Sequence, residues 1–221
     1  GIATTTDNQT AAAAAGTVVL AVKPQILPGV AAGIAGELAD PNKLVISIAA
    51  GVRLARLREW LGSDRPLVRG MPNTPALGGA GISAVYADPG VTDDQRGHVS
   101  DLLAAGGESV WLDKEEQMDA VTAISGSGPA YFFLILEALE EAGVAEGLPR
   151  ETARELATAT AGGAARLAAE SGHAPAELRT RVTSPAGTTA EGLAALERGG
   201  LRATFLDAVA AAAGRSRELG S

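Results

Sequence analysis

The sequence predicts an α/β protein with an all-α second half. A doubly wound sheet domain is expected over residues 1–115 and an all-helical domain over 116–221. Three observations carry this reading. Runs such as Thr17–Val22 and Leu44–Ile48 are short and continuously apolar, as strands buried on both faces are. Helical patterns alternate with them through the first half, which is the order of a doubly wound sheet. From about Glu116 onward the strand signals stop.

The elements follow in order. A helix starting at Gln9, with Asn8 as its cap, takes in Ala11–Ala15. Thr17–Val22 is the first strand and Lys23-Pro24 ends it. A helical stretch from about Gln25 to Ala39 is closed by Asp40-Pro41. Leu44–Ile48 is the second strand, Ala50-Gly51 turns the chain, and Val52–Leu61 is helical. Leu67–Arg69 is a third strand leading into Met71-Pro72-Asn73, and Gly81–Ala87 and Ser109–Leu112 are two more. Between those two, Thr92-Asp-Asp-Gln95 reads as a capping box opening a helix that runs to about Ala105. In the second half a long helix over Glu116–Ala142 is expected to kink at Ser125-Gly-Ser-Gly-Pro129. Pro149 suits the first turn of a helix to about Ser171, and Pro175–Val182, Thr189–Arg198 and Leu201–Leu219 follow.

Composition bounds the function. A net charge of −8 argues against nucleic acid and anionic membranes as partners. With no cysteine there is no thiolate chemistry, and with two histidines, His98 and His173, no multi-histidine metal site is expected. Both histidines read as solvated. No apolar run is read as long enough to span a bilayer, no signal peptide is read at the start, and a cytoplasmic protein is expected. Aromatics make up only 3% of the chain, so the core is built from small aliphatic side chains that bury little area each. An extensive subunit interface is expected to compensate.

Two places are suited to ligands. Open α/β sheets bind at the carboxyl ends of their strands, which here carry Ala21-Val22-Lys23-Pro24, Ala49-Ala50-Gly51 and Met71-Pro72-Asn73. Lys23 reads either as a cation for a pyrophosphate or ribose or as a solvated loop lysine. The second place is Arg181-Val-Thr-Ser-Pro-Ala-Gly-Thr-Thr189, a loop of small hydroxyl and glycine residues opening onto a helix. Backbone N–H groups and the positive end of a helix dipole suit a small carboxylate there. The structural alternative is that Thr188 and Glu191 form a capping box that only starts the helix. Glu115, Glu116 and Asp119 read as a solvated helix start, and Arg179 and Arg181 are left unassigned. A dinucleotide sheet usually opens with a strand, G-x-G-x-x-G and a helix, and nothing of that form precedes Thr17. Gly126-x-Gly128 follows a helical pattern and lacks the third glycine. The sheet domain is therefore expected to be N-terminally incomplete.

Taken together, Thr6-Asp-Asn8, Ala21–Pro24, Ser47–Val52, Arg69–Pro75, Met118–Tyr131, Gly147–Arg150, Val182–Thr189 and Glu197–Gly200 resemble the pyrroline-5-carboxylate reductase family, in order along nearly the whole chain. The resemblance implies a Rossmann-like domain followed by a helical dimerisation domain. It also implies NADPH, with NADH as the alternative, reducing Δ1-pyrroline-5-carboxylate to L-proline in the last step of proline biosynthesis. Ser184, Pro185, Gly187, Thr188 and Thr189 would hold the substrate, with the Thr189 hydroxyl on the ring nitrogen. Asn8, Ala21, Val22, Lys23, Pro24, Ala50, Met71, Pro72 and Asn73 would line the cofactor, and no metal is implied. The partner it implies is a second copy of the chain, in dimers that can assemble further into larger rings.

Two departures stand out: the family's N-terminal strand and glycine-rich turn are absent from this sequence, and Ala186 replaces the first glycine of the loop. An alanine required to take φ > 0 would be strained there by roughly 1 kcal/mol or more. The competing enzymatic reading is another imine or β-hydroxyacid reductase with the same plan. The β-hydroxyacid enzymes are disfavoured because Thr122–Pro129 contains no lysine. The non-enzymatic reading is an inactive, truncated chain that keeps the fold.

Overall fold

The computed structural model describes residues 1–62 and 65–220. By packing the chain forms two compact units, one of Gly1–Pro129 with Val209–Ser221 and one of Ala130–Ala208.

The first unit is built on a five-stranded mixed sheet in the order β1 (Thr17–Leu20), β2 (Leu44–Ser47), β3 (Leu67–Met71), β4 (Gly81–Ala87) and β5 (Gly107–Trp111). The first three strands are parallel, with Leu20 opposite Ser47 and Ser47 opposite Arg69, so β1 and β2 end level and β3 runs two residues further to Met71. The strand β4 runs antiparallel to β3 and β5 parallel to β4. The reason is loop length. A parallel neighbour needs a crossover of about a dozen residues or more, which the 72–80 segment cannot supply and the 88–106 segment can. The strand β2 is buried along its whole length, as its unbroken apolar run predicts.

Helices cover both faces. On one, α1 (Asn8–Ala14), α2 (Leu27–Ile34) and α3 (Leu54–Leu61) contribute Ala12, Leu27, Ala31, Leu57 and Leu61 to a core with Leu20, Val45 and Leu67. On the other, Val99 of α4 (Asp93–Ala104) packs with Leu44, Ile46, Val68 and Val85. The Thr92–Gln95 capping box that opens α4 is formed in both directions, at 3.2 and 3.0 Å. The cap of α1 differs from expectation. Asp7 rather than Asn8 accepts from the Gln9 N–H at 3.0 Å, and Asn8 is already helical. The stretch after Lys23 is also shorter than expected, with α2 tightening into a 3₁₀ turn at Ala35–Leu38.

The largest local departure is at Ser125–Pro129. No break occurs. The helix α5 (Gln117–Val121) passes through a π turn, Thr122–Gly126, into α6 (Gly128–Ala145). The Ser127 N–H bonds the Thr122 carbonyl at 2.8 Å, which is the wider i→i+5 spacing. Pro129 is the second residue of α6, directly after the π turn. The continuous helix of 29 residues, Gln117–Ala145, is therefore long and apolar enough to cross a membrane by length and composition. This corrects the expectation that no such run exists. The polar Ser-Gly-Ser-Gly step divides the sequence pattern, while the π turn carries the backbone across it.

In the second unit α6 is followed by α7 (Arg150–Glu170), α8 (Pro175–Arg181), α9 (Thr188–Arg198) and the start of α10 (Leu201–Leu219). Gly143 of α6 lies against Ala153 of α7, a close approach that small residues permit. Arg150 and Arg154 both reach Glu140, each at 2.8 Å. Pro149 stands at the N-cap of α7, one place before its first helical residue. Among the described residues of this unit only Ala153 and Ala157 are buried, whereas Phe132, Phe133, Leu134 and Leu206 are all at least 60% exposed.

Candidate active site

The first unit gathers most of the strand-end residues. Ala21 to Pro24 leave the end of β1, Ala50 follows β2, and Met71 ends β3 with Pro72 and Asn73 directly after it. Asn8, at the start of α1, lines one cavity of about 260 Å³ together with Ala21 and Val22. Pro24 lines another, of about 390 Å³, with Gln25, Val52 and Trp60. Lys23 is exposed beside them. Asn73 is fixed on both sides, accepting from the Ile82 N–H at 3.0 Å and donating to Ser125 Oγ at 3.3 Å. The Met71 methyl occupies the space that a side chain at Gly126 would take. The π turn is thereby tied to the end of β3 at two points, and π turns recur at functional sites. Neighbouring parallel strand ends with two cavities and an exposed cation fit a phosphorylated, elongated ligand such as a dinucleotide.

The second unit carries the loop between α8 and α9. Ser184-Pro185-Ala186-Gly187 closes with the Gly187 N–H on the Ser184 carbonyl at 3.1 Å. Ala186 has φ +56°, so the segment has the form of a turn with proline second and a left-handed residue third. Gly187 has no room for a side chain because Ser184 Oγ lies over it. It is the N-cap of α9, and its carbonyl receives the Glu191 N–H at 3.3 Å. The expected Thr188–Glu191 capping box therefore does not form. Gly187 takes the extended cap position, Thr188 becomes the first helical residue, and no side chain caps this helix start. The backbone N–H groups of its first turn lack helical partners. Ser184, Thr188 and Thr189 are exposed around them. N–H donors and hydroxyls at a helix start are the kind of groups that suit an anion.

The chain matches two family models, pyrroline-5-carboxylate reductase dimerisation over residues 115–219 and NADP oxidoreductase, coenzyme F420-dependent, over residues 1–51. A pyrroline-5-carboxylate reductase of Pseudomonas aeruginosa is 50% identical over 212 residues, covering 96% of this chain and 77% of that protein. The chain belongs to the pyrroline-5-carboxylate reductase family. Among solved structures, a pyrroline-5-carboxylate reductase from Coxiella burnetii superposes with a TM-score of 0.93 at 42% identity, covering 98% of this chain and 80% of that one. The NADP-bound enzyme of Plasmodium falciparum does so with a TM-score of 0.90 at 36% identity, covering 98% and 82%.

Against that family background, other residues fall into place. His98 is exposed and meets the Thr17 hydroxyl at 3.2 Å, and His173 Nδ1 lies 3.2 Å from Glu177. Arg181 is paired with the same Glu177 at 2.8 Å. Among the described residues no group of three histidine, cysteine or carboxylate side chains could hold a metal ion.

The reading of the 115–119 acids as solvated holds for Glu116 and is wrong for the other two. Glu115 Oε1 accepts from Arg69 Nη1 and from the Leu54 N–H, each at 2.8 Å. Asp119 is buried, accepting from Ser216 Oγ at 2.7 Å and lying 3.4 Å from Arg53 Nη2. A signal existed. Arg69 interrupts the apolar strand Leu67–Met71, and a buried guanidinium in a central strand demands an acid from elsewhere in the chain.

Proposed function

We propose that Ser184, Pro185, Gly187, Thr188 and Thr189 hold the substrate and that Asn8, Ala21–Pro24, Ala50 and Met71–Asn73 line the cofactor, in an NADPH-dependent reduction of Δ1-pyrroline-5-carboxylate to L-proline. NADH is the alternative reductant to be compared in the assay. The supporting observation is the uncapped start of α9, whose first-turn N–H groups lack helical partners beside the exposed Thr188 and Thr189, an arrangement suited to a carboxylate. When bound, the reduced nicotinamide supplies the hydride. The chain's part is to hold and orient. The N–H groups of the α9 first turn neutralise the substrate carboxylate without a buried cation. The Thr189 hydroxyl hydrogen-bonds the ring nitrogen, which gains the electron pair of the C=N bond and takes up a proton as its carbon is reduced.

Residues 1–115 serve the nucleotide and 116–221 the substrate and the subunit contact, in a homodimer able to assemble into larger rings. The cytoplasm is the compartment proposed for this reaction.

The test is pyrroline-5-carboxylate-dependent oxidation of NADPH and NADH, repeated with Thr189→Ala. The variant is expected to lose about 1–3 kcal/mol of transition-state stabilisation in kcat/KM, the usual cost of an unmet polar group. Unchanged kinetics would remove Thr189 from the mechanism. No turnover by a folded, NADPH-binding protein would leave the family fold with a different substrate.

A further inference from the structure

We propose that Glu115 is a positioning residue for the nucleotide, locking the loop that carries Ala50 to the strand whose end carries Met71, Pro72 and Asn73. The inference rests on the nucleotide reading above. A single oxygen, Oε1, receives both the Leu54 N–H and Arg69 Nη1, each at 2.8 Å. Leu54 is the first residue of α3, whose N-cap Arg53 supplies no capping side chain, so Glu115 takes the place of a local cap. Arg69 lies two residues before Met71 and pairs in register with Ser47, the last residue of β2. Glu115 reaches both segments from beyond β5, and the pair is shielded, with side chains 16% and 6% exposed.

Asp119 supports the same loop from α5, lying 3.4 Å from Arg53 Nη2 while Ser216 Oγ donates to its other oxygen at 2.7 Å. The Arg69–Glu115 bond, at 2.8 Å, is of the short and directional charge-assisted kind. Removing the carboxylate strands a buried guanidinium and an N–H, and each regains a partner only if the loop or the strand end shifts. Such a shift moves Ala50 relative to Met71, and small displacements of positioning groups are costly. A second consequence follows from the same contact. The N-terminus of α3 is already occupied by the protein's own carboxylate, so it is not the seat of a cofactor phosphate.

The test is NADPH titration by fluorescence, together with KM for both substrates, in the full-length enzyme and its Glu115→Ala and Glu115→Gln variants. Glu115→Ala is expected to raise the Kd and KM for NADPH about ten-fold while leaving KM for pyrroline-5-carboxylate near the wild-type value. Glu115→Gln, which keeps an acceptor oxygen, recovers most of that loss. A carboxylate with a merely structural role would lower Tm and the active fraction and leave KM for NADPH unchanged, and that result overturns the proposal. Should Glu115→Ala fail to fold, Glu115→Asp keeps the charge and shortens the reach; a raised Kd supports the proposal and a wild-type Kd overturns it. A wild-type enzyme that does not bind NADPH overturns the nucleotide reading and this inference together. Wild-type binding that all variants match overturns the inference alone.

Discussion

Ala186 is the one non-glycine residue among those described with positive φ, at +56°. Its Cβ crowds the backbone there, at a cost of roughly 1–2 kcal/mol, and the turn persists because Pro185 and the Gly187–Ser184 hydrogen bond hold it. Ala186→Gly removes that strain but loosens the unfolded chain. The net expectation is a gain of about 0.5–1 kcal/mol, read as a raised denaturant midpoint at constant m-value. A lowered midpoint would show that alanine sits there without strain. The next residue has the opposite constraint. Gly187 adopts an ordinary φ of −85° and is needed for space, since Ser184 Oγ lies over it. Any side chain at 187 is expected to push Ser184 aside and raise KM for pyrroline-5-carboxylate more than KM for NADPH. Equal effects on the two would show that the displaced hydroxyl does not face the substrate.

At the level of elements, the pairing of α6 with α7 combines a close approach of small residues with one acid shared by two arginines. Hydrogen bonds from Arg154, first, and Arg150 hold the Glu140 carboxyl at a pKa of about 2, below its ordinary 4.5. A carboxyl whose folded pKa is depressed contributes stability that is complete above its unfolded pKa and lost as pH falls through the folded one. The α6–α7 pairing is therefore expected to weaken on acidification from about pH 4.5 to about pH 2. The thermal midpoints of wild type and Glu140→Gln, followed across that range, should differ at neutral pH and converge at the acid end. A pH-independent difference would mean that the pair acts through packing rather than charge. The α5–α6 helix shows a different economy. Its π turn admits one extra residue without breaking the helix, and that residue count brings Ser125 to Asn73.

Considered whole, the chain distributes its burial unevenly. The sheet unit has an apolar core on each face. The helical unit buries only Ala153 and Ala157 among its described residues while Phe132, Phe133, Leu134 and Leu206 stand exposed. Single-chain burial of this size cannot offset the entropy of ordering the helices of this unit. A second copy of the chain is expected to supply the missing cover, in line with the dimerisation model matched over 115–219. Two outcomes follow. The thermal midpoint should rise with protein concentration, as for any subunit stabilised by association. Phe133→Asp should halve the sedimenting mass or leave the helical unit unfolded. A dimer of unchanged mass and midpoint would place the interface elsewhere.

Much of this molecule is legible in its linear order. The strands at Thr17, Leu44 and Gly81, the box at Thr92–Gln95 and the helices punctuated by Pro149, Pro175 and Gly200 follow from apolar periodicity and turn chemistry, which act over a few residues. The strand-end and loop motifs likewise carry the family. Tertiary structure alone decided the remainder, and for a common reason. Whether Gly187 or Thr188 caps α9, whether Ser125–Pro129 breaks a helix or widens it, and whether Glu115 faces water or Arg69 all turn on competition between partners. A sequence states which groups can pair. The solvation and distance that make one pairing win exist only once strands β2 and β3, the start of α3 and the segment after β5 have been brought together.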